Sequence, residues 1–333
     1  MTRILAFCVF LVGISITEAT CTLPLSPGLW KTSTRGTWKV DSTRTTISGF
    51  EFLKSSGPIV ANMSCYSTDT DGYMLLKSSI EYVIYESRNI NGYAYACILF
   101  NQSNSSPHTY YFSLGSAEIP VNTTALEYER VYVLQRNFSF NADCTSKSTA
   151  GERIHVAIKV GSEENATAAC PLDIKGTFSY SKDTKCNSTY LNACSMPTPT
   201  QLLFNYSICP EQQMFSATGI LNCVYSTTHN GYTYLTIFNN DTTVDTISTY
   251  QFTCMVFFTS ANTVWATITP KECFNSSLQT PYYTDHPIGQ TRTFTNFRDY
   301  FCCKYKLLTL NRCVEDLSQV PLNMLLERNI LII

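Results

Sequence analysis

Cysteines are the side chains of this 333-residue chain best suited to chemistry, and fifteen occur. The first, Cys8, lies in an apolar run from Ile4 to Ile16 that follows Thr2-Arg3 and ends at Thr17-Glu18-Ala19. A basic start, a short apolar core and a small-residue exit make a cleavable secretory signal, and this core is too short to span a bilayer comfortably. Cleavage after Ala19 or Thr20 removes Cys8. The fourteen that remain are Cys21, Cys65, Cys97, Cys144, Cys170, Cys186, Cys194, Cys209, Cys223, Cys254, Cys273, Cys302, Cys303 and Cys313. An even number of thiols bound for an oxidising compartment predicts disulfides. Zinc is the competing chemistry, but the chain has no C-x-x-C, and His108, His155, His229 and His286 are scattered. No metal or cofactor is expected.

Acyl transfer, phosphate binding and metalloprotease chemistry each need a recognisable local frame. The nucleophile elbow, phosphate loop and zinc-protease helix are all missing from the sequence. Asp285-His286, in a Pro- and Tyr-rich loop, could join a dispersed triad, but a solvated surface histidine accounts for it more simply. The chain reads as a non-enzyme. Modification is the better-marked chemistry, because N-x-S/T acceptors stand at Asn62, Asn101, Asn104, Asn122, Asn137, Asn165, Asn187, Asn205, Asn240 and Asn275. Such asparagines are used where they face solvent, and about half are expected to carry glycans.

Only 14% of residues are charged and the formal net charge is −2. Nucleic acid is therefore excluded as a partner, and no polybasic run marks a membrane surface. Twenty-one tyrosines point instead to recognition, since a tyrosine offers a large apolar face with a polar tip. TYYFS (109–113) and PYYTD (281–285) are the candidate exposed stretches.

The elements that must hold these residues are short runs of Tyr, Phe, Val, Ile and Thr between Gly, Asn, Asp and Ser turns. This is an all-β pattern. Asp71-Gly72, Asn91-Gly92 and Asn230-Gly231 are hairpin signals, because these pairs supply positive φ at both central positions. The one around Asn91-Gly92 would join 81–87 to 93–100, where Tyr93, Tyr95, Cys97 and Leu99 share one apolar face and Ala94, Ala96, Ile98 and Phe100 the other. A strand buried on both faces suits a sandwich or a small barrel.

One cysteine-framed block occurs twice. The first copy runs Cys21, Gly36-Thr37-Trp38, Cys65, Asp71-Gly72-Tyr73 and Cys97; the second runs Cys170, Gly176-Thr177-Phe178, Cys223, Asn230-Gly231-Tyr232 and Cys254. The interval from Cys65 to Cys97 is 32 positions and that from Cys223 to Cys254 is 31. In this alignment the second copy holds an insertion containing Cys186, Cys194 and Cys209. The resulting organisation is a signal peptide over 1–19, a first β module over 20–160 closed by the alternating strand IHVAIKV, and a linker over 161–169. A second β module follows over 170–280, then a cysteine-containing tail, irregular or weakly helical, over 281–333.

If equivalent cysteines bond equivalently, the simplest pairing joins Cys65 to Cys97 and Cys223 to Cys254. Cys21–Cys144 and Cys170–Cys273 would then clasp each module end to end, while adjacent Cys302 and Cys303, badly placed to bond to each other, would reach elsewhere along with Cys313. Four cysteines already allow three patterns.

Gly36-Thr37-Trp38 resembles the G-x-W of lipocalins, which implies an eight-stranded barrel holding a small apolar ligand; the second copy has Phe178 in place of Trp. A Trp or Phe packed in a sheet core explains both copies without a ligand. A second resemblance rests on CPLDIKGTFSY, Cys186, LNAC, LLFNYSIC, GILNC, NGYTYL and YQFTCMVF. This series is similar to the tandem cysteine-rich extracellular modules of invertebrate secreted or membrane-anchored proteins, known only as domains of unknown function. The likeness covers about residues 21–275, and Tyr95-Ala96-Cys97 departs from the Y-R-C of that family's first module. It implies class and compartment, and no activity. The sequence thus describes a secreted, extracellular glycoprotein of two disulfide-stapled antiparallel β-sandwich or small β-barrel modules. Its expected role is to bind an extracellular protein or glycan, with carriage of a small apolar ligand as the alternative and no transmembrane span once the signal is removed.

Overall fold

Those short apolar runs form the strands of the computed structural model. It describes residues 21–296 apart from 55–56, 70, 86–89, 116–124, 129, 136–153, 180–188, 194–195, 207–214, 243, 245–248, 261–262, 272, 274–278 and 285–288. The expected signal segment, Cys144, Cys186, Cys194, Cys209, Cys302, Cys303, Cys313, Asp285-His286 and the candidate acceptors Asn122, Asn137, Asn187 and Asn275 lie outside the described residues.

The first sheet contains β1 (Gly28–Thr32), β2 (Thr37–Val40), β3 (Thr46–Lys54), β4 (Gly57–Thr68), β5 (Tyr73–Tyr85), β6 (Ile90–Gln102), β7 (Thr109–Leu114), β8 (Ala125–Tyr128), β9 (Val131–Leu134) and β10 (His155–Lys159). Its order is β5-β4-β3-β2-β1-β10-β7-β6-β9-β8, and β5 also pairs with β6. Eight strands therefore close on themselves, and β9 and β8 extend the sheet along β6. The second sheet contains β11 (Thr177–Ser179), β12 (Tyr190–Asn192), β13 (Gln201–Asn205), β14 (Ile220–His229), β15 (Tyr232–Phe238), β16 (Phe252–Ser260), β17 (Thr263–Pro270) and β20 (Gln290–Asn296), which close as an eight-stranded barrel in that order. A separate ribbon pairs β18 (Gln279–Thr280) with β19 (Tyr283–Thr284). The choice left open between sandwich and barrel is settled as barrel in both copies. Grouped by packing, 30–36, 101–113 and 148–333 form one compact unit, which takes in β10 and most of β1 and β7, and the remainder forms the other.

Alternation fixes which residues fill the second barrel. Phe178, Leu202, Phe204, Leu235, Ile237, Met255, Phe257, Val264, Ala266, Ile268 and Phe294 share one buried cluster, as expected when every second residue of a closed sheet points inward. The segment before β11 covers one end, with Ile174 fully buried in the same cluster. Loops carrying Phe215 and Tyr250, whose rings meet edge to face at 5.5 Å, cover the other.

Two of the three turn signals mark turns. Asn230 and Gly231, at φ 51° and 78°, form the two-residue reversal between β14 and β15, and Gly72, at φ 87°, lies between β4 and β5. Asn91-Gly92 does not: it lies within β6, opposite Val83 and Tyr82. Continuous burial from Ala94 to Ile98 favours a longer strand over a turn at that dipeptide.

The repeat is real in topology but shifted in register. In each ring the first strand is the one that pairs with the last, so β11 corresponds to β1, and Gly176-Thr177-Phe178 corresponds to Gly28-Leu29-Trp30 rather than to Gly36-Thr37-Trp38. The spacing agrees: Cys21 precedes Gly28 by 7 positions and Cys170 precedes Gly176 by 6. Strand β20 is a second correction. Residues assigned to a tail beyond 280 supply the strand that closes the second barrel, pairing with both β17 and β11.

The cysteine pairing is the third correction. Cys21 bonds Cys65, Cys170 bonds Cys223 and Cys254 bonds Cys273, with Cα separations of 5.3, 5.3 and 5.0 Å. The expected Cys65–Cys97, Cys223–Cys254, Cys21–Cys144 and Cys170–Cys273 pairs are replaced. Cys223 on β14 and Cys254 on β16 have β15 between them, which sets them about 9.5 Å apart and beyond disulfide reach. They also face opposite ways, Cys223 into the barrel cluster and Cys254 outward with Tyr234 and Cys273. The same argument separates Cys65 from Cys97, which is itself disulfide-bonded. Equivalence between copies survives, since Cys21–Cys65 and Cys170–Cys223 both tie the entry segment to the fourth strand of the ring.

Candidate recognition surface

The outward face of β15, β16 and β17 is apolar where solvent would ordinarily select polar side chains. Counting alternate residues outward from Cys254 brings Val256 and Phe258 to that face, with Tyr232 and Tyr234 on β15 and Trp265 on β17. The ribbon β18–β19 covers part of it. Thr267 Oγ1 donates to the Thr280 carbonyl at 2.7 Å, and Gln279 Nε2 donates to Thr269 Oγ1 at 3.1 Å. Gln279 is fully buried by this seating, and Tyr282 at the ribbon's turn is brought against Trp265.

The result is a ledge of four rings. Phe258 and Trp265 stack at 6.1 Å, Trp265 meets Tyr282 at 6.1 Å, and Tyr232 meets Phe258 at 6.2 Å and Tyr282 at 6.5 Å. Tyr232, Phe258 and Trp265 are half-buried, while Tyr282 and Tyr283 are 51% and 54% exposed. Aromatic pairs of this geometry stabilise one another by about 0.5–1.5 kcal/mol beyond their burial. The four rings of the ledge thus support one another. In the register set by Cys97 and Cys254, the first copy has Asp71 and Asn101 where the second has Tyr232 and Phe258. Two of its rings therefore have no aromatic counterpart in the first copy.

Of the two stretches marked in the sequence, PYYTD supplies the exposed rings. TYYFS does not, because Tyr110 is buried against Trp30 at 5.7 Å and Tyr111 stacks on Tyr225 at 4.4 Å. Tyr232, Phe258 and Trp265 escaped sequence reasoning, although the period-two parity from Cys254 carries the signal. His155 is 1% exposed, stacks on Phe112 at 5.0 Å and pairs its Nδ1 with Thr34 Oγ1 at 2.8 Å. Among the acceptor asparagines, Asn62, Asn104, Asn165 and Asn240 are exposed; Asn101 and Asn205 are half-buried, and Asn205 donates its amide to the Tyr190 hydroxyl at 3.0 Å.

A polar cleft of about 260 Å³ lies elsewhere on the same unit, lined by Glu163, Glu164, Gln201, Thr218, Ile220, Asn222, Phe238, Asn240 and Asp241. Lys31 neutralises Glu163 at 3.2 Å. Asp241 fastens the 216–218 turn, accepting from Ser216 Oγ at 2.8 Å, Ala217 N at 3.0 Å, Thr218 N at 3.3 Å and Thr218 Oγ1 at 2.8 Å. Burial pushes its carboxyl up, but these donors outweigh burial and hold it below the usual carboxylate range. A lowered folded pKa stabilises the fold above the unfolded value of about 3.9, and that contribution fades as pH falls through the lower folded value. Asp241→Ala is expected to cost about 1–2 kcal/mol at pH 7. The deficit should shrink below pH 4, as shown by urea unfolding at both pH values. Equal deficits would remove the charge from the explanation.

Among the described residues no group of His, Cys, Asp and Glu is placed to hold a metal ion, and no helix is long and apolar enough to cross a membrane. No curated protein matches the chain, and no solved structure does. Residues 166–287, which include β11 to β19 and all four rings of the ledge, match the family model described as a domain of unknown function, DUF7042.

Proposed function

We propose that this protein is a secreted extracellular recognition module that acts without catalysis and engages a protein or glycan through the aromatic ledge of its second barrel. The observation that carries this reading is the assembly of Tyr232, Phe258, Trp265 and Tyr282 from three strands and a ribbon. Rigid Tyr and Trp rings present contact area at low entropic cost, and such residues dominate binding hot spots. The Cys21–Cys65, Cys170–Cys223 and Cys254–Cys273 bonds support an oxidising destination. A carrier of a small apolar ligand is the second reading, favoured by two closed eight-stranded rings. Phe204, Met255, Phe257 and Phe294, which fill the second barrel, weigh against it there.

Secretion is tested by amino-terminal sequencing of the protein from culture medium, which should begin near Thr20 or Cys21. Recognition is tested by screening wild type and Tyr282→Ala in parallel against a glycan array and a panel of extracellular ectodomains. A true ledge ligand should lose at least about tenfold in affinity on Tyr282→Ala, while the loss of two ring contacts should lower the melting temperature by only a few degrees and leave the protein folded in the assay. Binding that ignores Tyr282→Ala would place recognition elsewhere.

A further inference from the structure

Asn240 sits at a constrained place for an acceptor asparagine, at the lip of the polar cleft. It opens the sequon Asn240-Asp241-Thr242, and both Asn240 and Thr242 are exposed. Its neighbours are fixed on both sides. Asn239 is fully buried, donating its backbone N–H to Gln251 O at 2.8 Å and its Nδ2 to Phe215 O at 3.3 Å. Asp241 donates its N–H to Asn239 Oδ1 at 2.8 Å and carries the four donors of the 216–218 turn. A substituent on Asn240 therefore leaves the backbone in a set direction.

The cleft beside it has the chemistry of a sugar seat. Gln201 and Asn222 are register partners on β13 and β14, both half-buried and facing out of the barrel, and Gln201 Nε2 donates to Asn222 Oδ1 at 3.2 Å. That leaves Gln201 Oε1 as an acceptor and Asn222 Nδ2 as a donor, the complementary pair a sugar hydroxyl or an acetamido group uses. Phe238, two residues before the acceptor, backs the cleft. The volume of about 260 Å³ falls below the roughly 300–1,000 Å³ of clefts for drug-sized ligands. One pyranose ring suits it, and a chain of sugars would extend into solvent.

We infer that Asn240 is N-glycosylated and that its first N-acetylglucosamine packs into this cleft against Gln201 and Asn222, as a built-in ligand that braces the loop between β15 and β16. The inference rests on the secretory reading above. Attachment forms one bond, from Asn240 Nδ2 to the anomeric carbon, as the amide loses one proton and the lipid-pyrophosphate carrier of the oligosaccharide departs. Because the sugar is tethered, it meets the cleft at high effective concentration and needs little intrinsic affinity.

Full-length protein secreted with high-mannose glycans provides the test. Glycopeptide mass spectrometry should find Asn240 occupied; an unmodified Asn240 on a protein glycosylated elsewhere overturns this inference alone, and a chain that stays inside the cell and carries no glycan, in a host that glycosylates its other secreted proteins, sinks the secretory reading with it. Thr242→Ala, which abolishes the sequon, should lower the melting temperature by roughly 2–4 °C, and Thr242→Ser, which keeps it, should not. Trimming wild type with an endoglycosidase that leaves a single N-acetylglucosamine should preserve the melting temperature. Gln201→Ala, which loses its bond to Asn222 in either background, should lower it by more in the glycosylated protein than in the Thr242→Ala background. Equal effects of Gln201→Ala in both backgrounds would make Gln201 merely structural and end the proposal.

Discussion

Serine at both Cys170 and Cys223 is expected to cost the second barrel at least about 4 kcal/mol. The bond links residues 53 apart in sequence, and closing a loop of that length removes about 4 kcal/mol of entropy from the unfolded chain in the chain-entropy model. That is a large share of the roughly 5–15 kcal/mol that holds a domain folded. Cys254–Cys273, across 19 residues, closes a shorter loop and should contribute about 3 kcal/mol. Urea unfolding of the two double-serine variants should rank them in that order. The loss should also exceed the loop term, because Cys170 and Cys223 belong to the buried cluster and serine hydroxyls would replace their sulfurs there. A deficit below about 1 kcal/mol for Cys170→Ser/Cys223→Ser would show that the unfolded chain is already confined by other means.

Phe257→Ala is expected to cost about 3–5 kcal/mol. Phe257 is 1% exposed and belongs to the cluster inside the second barrel. Little can move into the space it vacates, since its neighbours are held by strands hydrogen-bonded on both sides. The variant should therefore acquire an apolar cavity, and benzene should raise its melting temperature while leaving wild type unchanged. This result would separate a filled barrel from a carrier. A cost below about 2 kcal/mol, or stabilisation of wild type by benzene, would mean that space already exists around the ring and would restore the ligand-carrying reading.

The architecture was legible because closed β-sheets write themselves as alternation, and because two copies of one pattern reinforce each other. What failed was pairing across strands. Asn91-Gly92 carries turn chemistry, yet strand burial from Ala94 to Ile98 overrides it. The Cys65–Cys97 and Cys223–Cys254 intervals differ by a single position, which makes them look like equivalent pairs. Sequence spacing does not reveal that a whole strand intervenes in each case. β20 was lost for a different reason. Thr291, Thr293 and Thr295 alternate with Arg292 and Phe294, a period-two signal that a nearby change in composition obscured. For the ledge, Tyr282 and Tyr283 were readable as exposed aromatics, but their partners lie up to about fifty positions away and join them only through register.

The pairing of β11 with β20 joins residue 178 to residue 296. A ribosome that has released the chain only as far as β17 has made seven of the eight staves, and the ring still stands open along one side, with β11 and β17 both lacking a neighbour. Contacts this distant in sequence form slowly compared with local ones. Exposed strand edges invite pairing with other chains in the interval. Cys170 and Cys223 are both synthesised well before Gln290, so their bond can fasten the first half of the barrel while the last strand is awaited. The barrel thus has an order of manufacture, and its final stave, with its alternating threonines, governs how long the unfinished ring is exposed to its neighbours.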